Sequence, residues 1–119
     1  MRIGTDITVI NRIEKSIQKF GDRFLDKFLN QSEKDDIKKV ETIAGYWAAK
    51  EAIAKALGCG IGEELSFKDI IIYKNNKNAP FFKLTPKAQK IHNIKNSSLS
   101  IAHDGGFAIA AVIIENPNI

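Results

Sequence analysis

The chain has 119 residues, which is the usual size of one domain and predicts a single domain over 1–119. Hydrophobic residues make up 44% of it and charged residues 27%, globular proportions that exclude intrinsic disorder. No run of about 18 apolar residues occurs, and Asp6 stands where a signal peptide has its apolar segment, so we expect no membrane span and no secretion. The single cysteine, Cys59, cannot form an internal disulfide or by itself a zinc site, which favours a cytoplasmic location.

The charge balance of the chain is modestly basic. Its 18 Lys and Arg residues against 14 Asp and Glu give a net charge of +4 at pH 7. This excess suits nucleic acid, an acidic protein or a phosphorylated small molecule, and charge alone does not choose among them. The sequence holds no ribonucleoprotein-type or zinc-finger motif, and most of its aromatic residues fall at core-like positions, so we expect no nucleic-acid partner.

The N-terminal part of the chain predicts a strand followed by helices. Residues 3–7 alternate apolar with small or polar side chains, as a short strand does. Apolar residues then recur at helical spacing over 9–29, and a break at Gly21 divides this stretch into two helices in series. Ser32, with an acid three residues later, is typical of an N-cap and predicts a short helix toward Val40.

The clearest predicted helix runs from Thr42 to Leu57. Thr42 can cap its start, alanine is abundant inside it, and Gly58 stops it just past the last apolar residue. At the helical period, two lines of side chains fall on different faces. One line holds Tyr46, Ala49, Ile53 and Leu57. The other holds Trp47, Glu51 and Lys55.

The C-terminal part of the chain predicts mainly strands. Residues 69–73 and 80–84 flank a polar turn, and Thr85-Pro86 then begins a helix to about Ile94. A tight turn of Asp and two Gly joins a strand over 98–103 to another over 107–114. Because the last strand is apolar on both faces, we expect it to be central and covered on both sides. The whole pattern predicts an α/β (α+β) fold, with helices packed on an antiparallel-rich sheet.

Polar residues on separate elements raise a question of chemistry. Glu51 and Lys55 lie one helical turn apart, Asp6 follows a glycine on a strand, and a lone His103 ends another strand. One interpretation is a solvated helix face with an ordinary i, i+4 pair. The other is that these groups meet in one cleft as a magnesium phosphate site, because isolated charges in a small core are costly unless paired or metal-bound. The spacing alone leaves both open.

Three sequence blocks, in order, carry a resemblance to a known family. They are Ile3-Gly4-Thr5-Asp6-Ile7, then Trp47-Ala-Ala-Lys-Glu-Ala-Ile-Ala-Lys-Ala-Leu-Gly58, and Ser100-Ile-Ala-His103 before an apolar strand. With these blocks the chain resembles the holo-(acyl-carrier-protein) synthases, the small class of 4′-phosphopantetheinyl transferases. The segments 60–62 and 65–70 are also similar to the family, so the resemblance covers essentially the whole chain and implies its fold.

The resemblance implies a reaction and a metal site. It implies that Asp6 and Glu51 bind Mg²⁺ and that Lys55 contacts the phosphates of coenzyme A. A serine hydroxyl of an acyl carrier protein would attack the β-phosphate, release adenosine 3′,5′-bisphosphate and acquire phosphopantetheine, in support of fatty acid biosynthesis. Mg²⁺ prefers carboxylate, phosphate and water oxygens, which agrees with this pair. The acceptor of the serine proton stays open between a water at the metal and Glu51.

The resemblance also implies substrate contacts and an assembly. His103 would contact coenzyme A rather than the metal, although a strand-end histidine bonded to backbone is the alternative. Gly58 and Gly60 would let the backbone approach the nucleotide, with plain helix termination as the alternative. A homotrimer is implied, in which the neighbouring subunit completes the coenzyme site. The docking surface for the acidic carrier protein, alternatively a plain solvated face, would hold Arg12, Lys15, Lys19 and Arg23.

The chain departs from the family pattern at three positions. Tyr46 stands where many relatives have Arg, Ala79 replaces a basic residue, and Ala102 replaces a hydroxyl residue before the histidine. These departures concern secondary substrate contacts rather than the metal pair. Because of them, the alternative that the protein binds the carrier without modifying it stays open. A generic magnesium phosphohydrolase and a non-catalytic basic module are the further alternatives.

Overall fold

The structure, a computed structural model, describes residues 1–117. Every predicted helix and strand has a counterpart in it, and residues 118–119 of the predicted domain lie outside the described residues. No helix within 1–117 is long and apolar enough to cross a membrane. The elements are β1 Arg2–Val9, α1 Ile10–Phe20, α2 Asp22–Phe28, α3 Gln31–Asp36, α4 Val40–Leu57, a 3-10 turn Phe67–Asp69, β2 Ile70–Lys74, β3 Pro80–Leu84, α5 Pro86–His92, β4 Asn96–Asp104 and β5 Phe107–Glu115.

The strands form two antiparallel sheets rather than the one that the sequence predicted. A three-stranded sheet has the order β1-β5-β4, and β2 pairs with β3 in a separate hairpin. In the larger sheet Asp6 lies opposite Ala110, which in turn lies opposite Ile101. The long helix α4 packs on one face of this sheet, and the hairpin and shorter helices close the core around it. Helices on antiparallel strands around one core confirm the predicted α+β class.

Small residues let α4 lie directly on β1. Ala48, Ala52 and Ala56 recur on this helix at one-turn spacing and are fully buried. A Cβ placed on Gly4 of β1 would overlap the carbonyl oxygen of Ala52. The strand backbone therefore touches the helix backbone, an approach that requires glycine at this position.

The predicted double cover of β5 is wrong for the single chain. The strand is central, but only the face that carries Ala108, Ala110 and Val112 is buried under α4. Its other face is open, and Ile109 and Ile113 are each more than two-fifths exposed. The apolar pattern correctly identified residues that prefer burial, but a single chain has helices to cover only one face of the strand.

The short helix α3 begins and ends elsewhere than predicted. Its N-cap is Asn30 rather than Ser32, because Glu33 forms a capping box in which its carboxylate accepts the backbone N–H of Asn30 at 2.7 Å. The helix ends at Asp36 and does not reach Val40. Ser and Asn are both good N-caps, so the local signal did not separate them.

Two other helix ends differ from the prediction by two residues. The helix α4 begins before Thr42, because the backbone N–H groups of Thr42 and Ile43 already donate to the Lys39 carbonyl. The helix α5 ends at His92 rather than at Ile94, because Asn93 takes the left-handed conformation with φ +52°. Asparagine tolerates that conformation at a helix C-terminus, which ends the helix.

A buried ion pair joins α4 to the elements around it, and the sequence did not indicate it. Lys50 and Glu33 are fully buried, with Lys50 Nζ 2.9 Å from the carboxylate. The ammonium also donates to the carbonyls of Phe28 at 2.6 Å and Phe67 at 3.1 Å. The second oxygen of Glu33 accepts the backbone N–H of Ile72 at 2.9 Å. Burial lowers the pKa of Lys50, and the charge of Glu33 opposes that shift.

The contact between β1 and α4 predicts that Gly4→Ala destabilises the protein. The added methyl group would overlap backbone, which cannot rotate away, and overpacking of this kind costs about 1–3 kcal/mol of the free energy of unfolding. Urea denaturation monitored by circular dichroism measures the loss. Gly62→Ala is the matched control, since a Cβ at Gly62 meets no atom within 4 Å. Equal stability of Gly4→Ala and the wild type would contradict the close approach.

Candidate active site

The approach of β1 to α4 brings the predicted metal and phosphate residues together. Asp6 points to the helix side of the sheet because it alternates with Thr5 and shares its face with Gly4 and Thr8. Lys55 Nζ lies 2.9 Å from Asp6 Oδ1 and 3.2 Å from the carbonyl oxygen of Thr5. Thr8 Oγ1 donates to the second oxygen of Asp6 at 3.0 Å. The Asp6 carboxylate is thus held between a cation and a hydroxyl.

Asp6 and Glu51 line one cavity of about 400 Å³, which we call the Asp6 cavity. Glu51 reaches it because it lies one turn before Lys55 on the same line of α4. Burial raises the pKa of Glu51, the negative charge of Asp6 raises it further, and Lys55 partly opposes both. The other residues that line this cavity are Ile7, Thr8, Arg12, Ile13, Ser16, Phe24 and Trp47.

The donors in the Asp6 cavity suit a hard divalent cation. Two carboxylates face the same space, and the pKa of Glu51 is raised first by burial and then by the negative charge of Asp6. A divalent cation between them would remove that repulsion, and Mg²⁺ prefers carboxylate oxygens with room left for waters and substrate phosphates. Among residues 1–117 no Cys or His lines the cavity, so its donor set suits Mg²⁺ better than a thiophilic metal.

The four predicted docking residues are exposed but do not lie on one continuous helix. Gly21, with φ +59°, separates α1 from α2, so Arg23 stands on a different helix from the others. Arg12 lines the Asp6 cavity, which places it beside the carboxylate pair. Lys15 and Lys19 lie one turn apart on the exposed part of α1.

His103 lies apart from the Asp6 cavity. It sits on β4 opposite Ala108 of β5, it is exposed, and it lines two other cavities. One of these, of about 290 Å³, also contains Tyr46 and Lys39. Burial, followed by the charges of two acidic residues, raises the pKa of the Tyr46 phenol to about 12. The structure does not bring His103 to the carboxylate pair, and the predicted coenzyme contact stays a prediction.

The two predicted loop glycines follow the C-terminus of α4. Gly58 has φ +78° and Gly60 has φ +66°, conformations that favour glycine. The backbone N–H of Gly58 bonds the carbonyl of Lys55 at 3.0 Å, and that of Gly60 bonds Ala54 at 3.3 Å. Helix termination is therefore a role that both glycines have in this structure. Their nucleotide contact stays a prediction.

Some residues of the Asp6 cavity were not predicted from the sequence. Thr8 holds Asp6 in place through its hydroxyl group. Because residues two apart on a strand share one face, the alternation that puts Asp6 on the helix side also puts Thr8 there and could have identified it. Phe24 and Trp47 stack with 5.8 Å between ring centroids and form the apolar wall of the cavity. Helical spacing indicated Phe24 as an apolar residue of the second helix and placed Trp47 on the same line as Glu51 and Lys55. The contact of the two rings places Phe24 at the site.

Comparisons with known proteins point to one family. The sequence model of the 4′-phosphopantetheinyl transferase superfamily matches residues 2–112. A holo-[acyl-carrier-protein] synthase of Sulfurovum sp. (strain NBC37-1) is 56% identical over 97% of this chain and 97% of its own length. One from Campylobacter fetus is 58% identical over 96% of this chain and 99% of its own. The crystal structure of Helicobacter pylori holo-[acyl-carrier-protein] synthase in complex with coenzyme A superposes with a TM-score of 0.89 at 49% identity, over 95% of this chain and 99% of that one.

Proposed function

The chain belongs to the 4′-phosphopantetheinyl transferase superfamily, and from that membership we propose that it transfers phosphopantetheine from coenzyme A to a serine of apo acyl carrier protein. The serine oxygen forms a bond to the β-phosphorus, the bond from that phosphorus to the bridging oxygen breaks, and adenosine 3′,5′-bisphosphate leaves. The product carrier serves fatty acid biosynthesis. The observation that carries the proposal is the pair of carboxylates that face the Asp6 cavity, together with Lys55 Nζ, which lies 2.9 Å from Asp6 Oδ1.

We propose that Asp6 and Glu51 hold Mg²⁺, which supplies charge stabilisation for the pyrophosphate when bound. Support comes from the oxygen donors of the cavity and from the raised pKa of Glu51, which is caused by burial and, second, by the negative charge of Asp6. The side chain of Lys55 is 55% exposed at its contact with Asp6, so its ammonium has the freedom to turn toward a phosphate. Thr8 keeps the Asp6 carboxylate oriented through its hydroxyl. Catalysis then consists mainly of alignment and of stabilising negative charge.

The first test of this function is intact mass spectrometry of apo acyl carrier protein incubated with the chain, coenzyme A and Mg²⁺. We expect the carrier to gain a phosphopantetheinyl group, and we expect EDTA to prevent the gain. Asp6→Asn keeps the size of the side chain but removes its charge, and should slow transfer by about 100-fold or more. Asp35→Asn, at an exposed acid on α3, is the matched control and should keep full activity.

Other outcomes would identify the alternatives. A folded chain that binds several carriers without modifying them would be a binding protein, and Tyr46 and Ala102 would be the first residues to replace. Release of adenosine bisphosphate without any carrier would instead indicate a phosphohydrolase. Full activity of Asp6→Asn would contradict the metal role of that carboxylate.

We propose that three copies of the chain assemble through the open face of the larger sheet. That face carries apolar side chains that a single chain leaves exposed: Ile3 (69%), Ile7 (61%), Ile109 (45%), Ile113 (44%) and Phe107 (42%). Patches of this kind mark interaction surfaces. Assembly would let His103 contact the coenzyme A held at a neighbouring subunit's Asp6 cavity, which fits the separation of His103 from that cavity within one chain. We also propose that Gly58 and Gly60 contact the nucleotide.

The assembly predicts a specific response to a charge on the open face. Ile113→Glu should convert the protein from three times the chain mass to a single chain in size-exclusion chromatography with light scattering, because a buried unpaired carboxylate is costly. Tyr73→Glu is the matched control, since Tyr73 is likewise 44% exposed but lies on the other sheet. A wild-type protein that is monomeric at micromolar concentration would overturn the trimer.

We propose that the exposed basic side of α1 and α2 docks the acidic carrier protein. Support comes from the exposure of Arg12, Lys15, Lys19 and Arg23 and from an exposed aromatic ring among them, since Phe20 is 46% exposed. Lys19 Nζ lies 5.2 Å from the centre of that ring. Complementary charge would steer the encounter and make it sensitive to salt.

This docking surface predicts that a substitution in it changes KM for the carrier protein but not KM for coenzyme A. Lys19→Glu should raise KM for the carrier protein several-fold and weaken its salt dependence, while KM for coenzyme A stays unchanged. Lys77→Glu is the matched control, because Lys77 is an exposed lysine in the loop between β2 and β3. Lys19 is a cleaner probe than Arg12, which also lines the Asp6 cavity. An unchanged carrier KM in Lys19→Glu would contradict the docking surface.

We also propose a cytoplasmic location. Cys59 is a free thiol in the structure, which suits a reducing compartment. Cell fractionation with a tagged chain tests this, and recovery of the tag with an oxidising extracytoplasmic fraction would contradict it.

A further inference from the structure

The loop after α4 faces the end of α5 through three side chains of metal-binding type. Cys59, Glu64 and His92 each place one donor atom within 4.8 Å of the other two. Glu64 Oε1 and His92 Nε2 lie 3.7 Å apart. None of the three lines the Asp6 cavity. Cys59 lies between Gly58 and Gly60, the two glycines for which a nucleotide contact is proposed.

An imidazole nitrogen in this cluster is buried and unsatisfied. His92 is only 5% exposed, and its Nε2 has no hydrogen-bond partner among the described residues. Glu64 at 3.7 Å is too distant for a hydrogen bond. A buried polar atom without a partner costs free energy, and nearly all such atoms in folded proteins are satisfied. The nitrogen faces the carboxylate and the thiol, which makes a ligand between the three groups its natural partner.

One donor separation in the cluster is close to that of a tetrahedral zinc site. Zn²⁺ binds sulfur at about 2.3 Å and nitrogen or oxygen at about 2.0–2.2 Å, so its ligand atoms lie about 3.4–3.6 Å from one another. The Glu64 to His92 separation of 3.7 Å is near that value. The side chain of Glu64 is 56% exposed, and the thiol of Cys59 makes only a 4.0 Å contact with a carbonyl, so both can move closer at little cost.

We propose that Cys59, Glu64 and His92 bind one thiophilic divalent cation of the Zn²⁺ class. Thiolate and imidazole donors favour Zn²⁺ over Mg²⁺, whereas the carboxylate pair of Asp6 and Glu51 has the opposite preference. On binding, the Cys59 thiol gives its proton to solvent, and three protein ligands leave a fourth position for water. The ion joins the loop after α4 to the last turn of α5.

Titration of the full chain with Co²⁺, in excess Mg²⁺ to occupy the carboxylate pair, tests this site. We expect one equivalent to give visible ligand-field absorption and a near-ultraviolet thiolate-to-cobalt band, and Zn²⁺ to displace both. Glu64→Gln and His92→Gln should each weaken Zn²⁺ binding by about tenfold or more, since even outer partners of a metal site have that effect. Glu63→Gln, at the neighbouring exposed acid, is the matched control and should bind as the wild type does.

The design keeps metal binding separable from folding. His92 is buried, so the exposed Glu64→Gln variant provides a test in which the core is unchanged. Zn²⁺ should also raise the melting temperature of the wild type and of Glu63→Gln more than that of Glu64→Gln. The absence of a thiolate-to-cobalt band would overturn the site. A band of wild-type affinity in both Glu64→Gln and His92→Gln would also overturn it, because the thiol would then bind cobalt alone.

Discussion

The contact of Gly4 with the backbone of α4 at Ala52 is the constraint on which the candidate active site depends. Asp6 comes from β1, whereas Glu51 and Lys55 come from α4, 45 and 49 residues further along the chain. A larger residue at Gly4 or Ala52 would push the strand away from the helix and with it the Asp6 carboxylate. The run of alanines in α4 therefore has a geometric role besides its helix propensity, because it sets the distance between acidic and basic groups.

A second constraint acts on the opposite side of α4. The buried pair of Lys50 and Glu33 fixes α4 to α3 and to β2, and carbonyls at the ends of neighbouring elements satisfy the remaining protons of the ammonium. Such a pair adds less to stability than burial suggests, since both charges lose their hydration, but it is intolerant of misplacement. It holds α4 in one rotation about its axis, in which Glu51, the next residue, faces the Asp6 cavity.

Helix and strand periodicity and the positions of glycine predicted the elements. They also predicted which side chains share a face of one element. One helical turn separates Glu51 from Lys55, Gly21 breaks the basic helix, and Gly58 ends α4, all of which the structure has. Partners distant in sequence could not be predicted in this way. Glu33 seemed an ordinary charge of a short helix, and its role follows only from Lys50, 17 residues away. The cluster of Cys59 and His92 is still more distant, because nothing local relates a loop cysteine to the end of α5.

The error over β5 has a physical cause with a consequence for the site. A strand that is apolar on both faces prefers burial on both. Burying one large aliphatic side chain stabilises the folded protein by roughly 1.5–3 kcal/mol. The chain buries one face under α4 and leaves the isoleucines of the other in contact with solvent. Only another molecule can bury that face and so add the stabilisation that its isoleucines would give. In the proposed trimer the same sheet would bury its open face and carry His103 toward a neighbour, so that assembly and completion of the coenzyme site become one event.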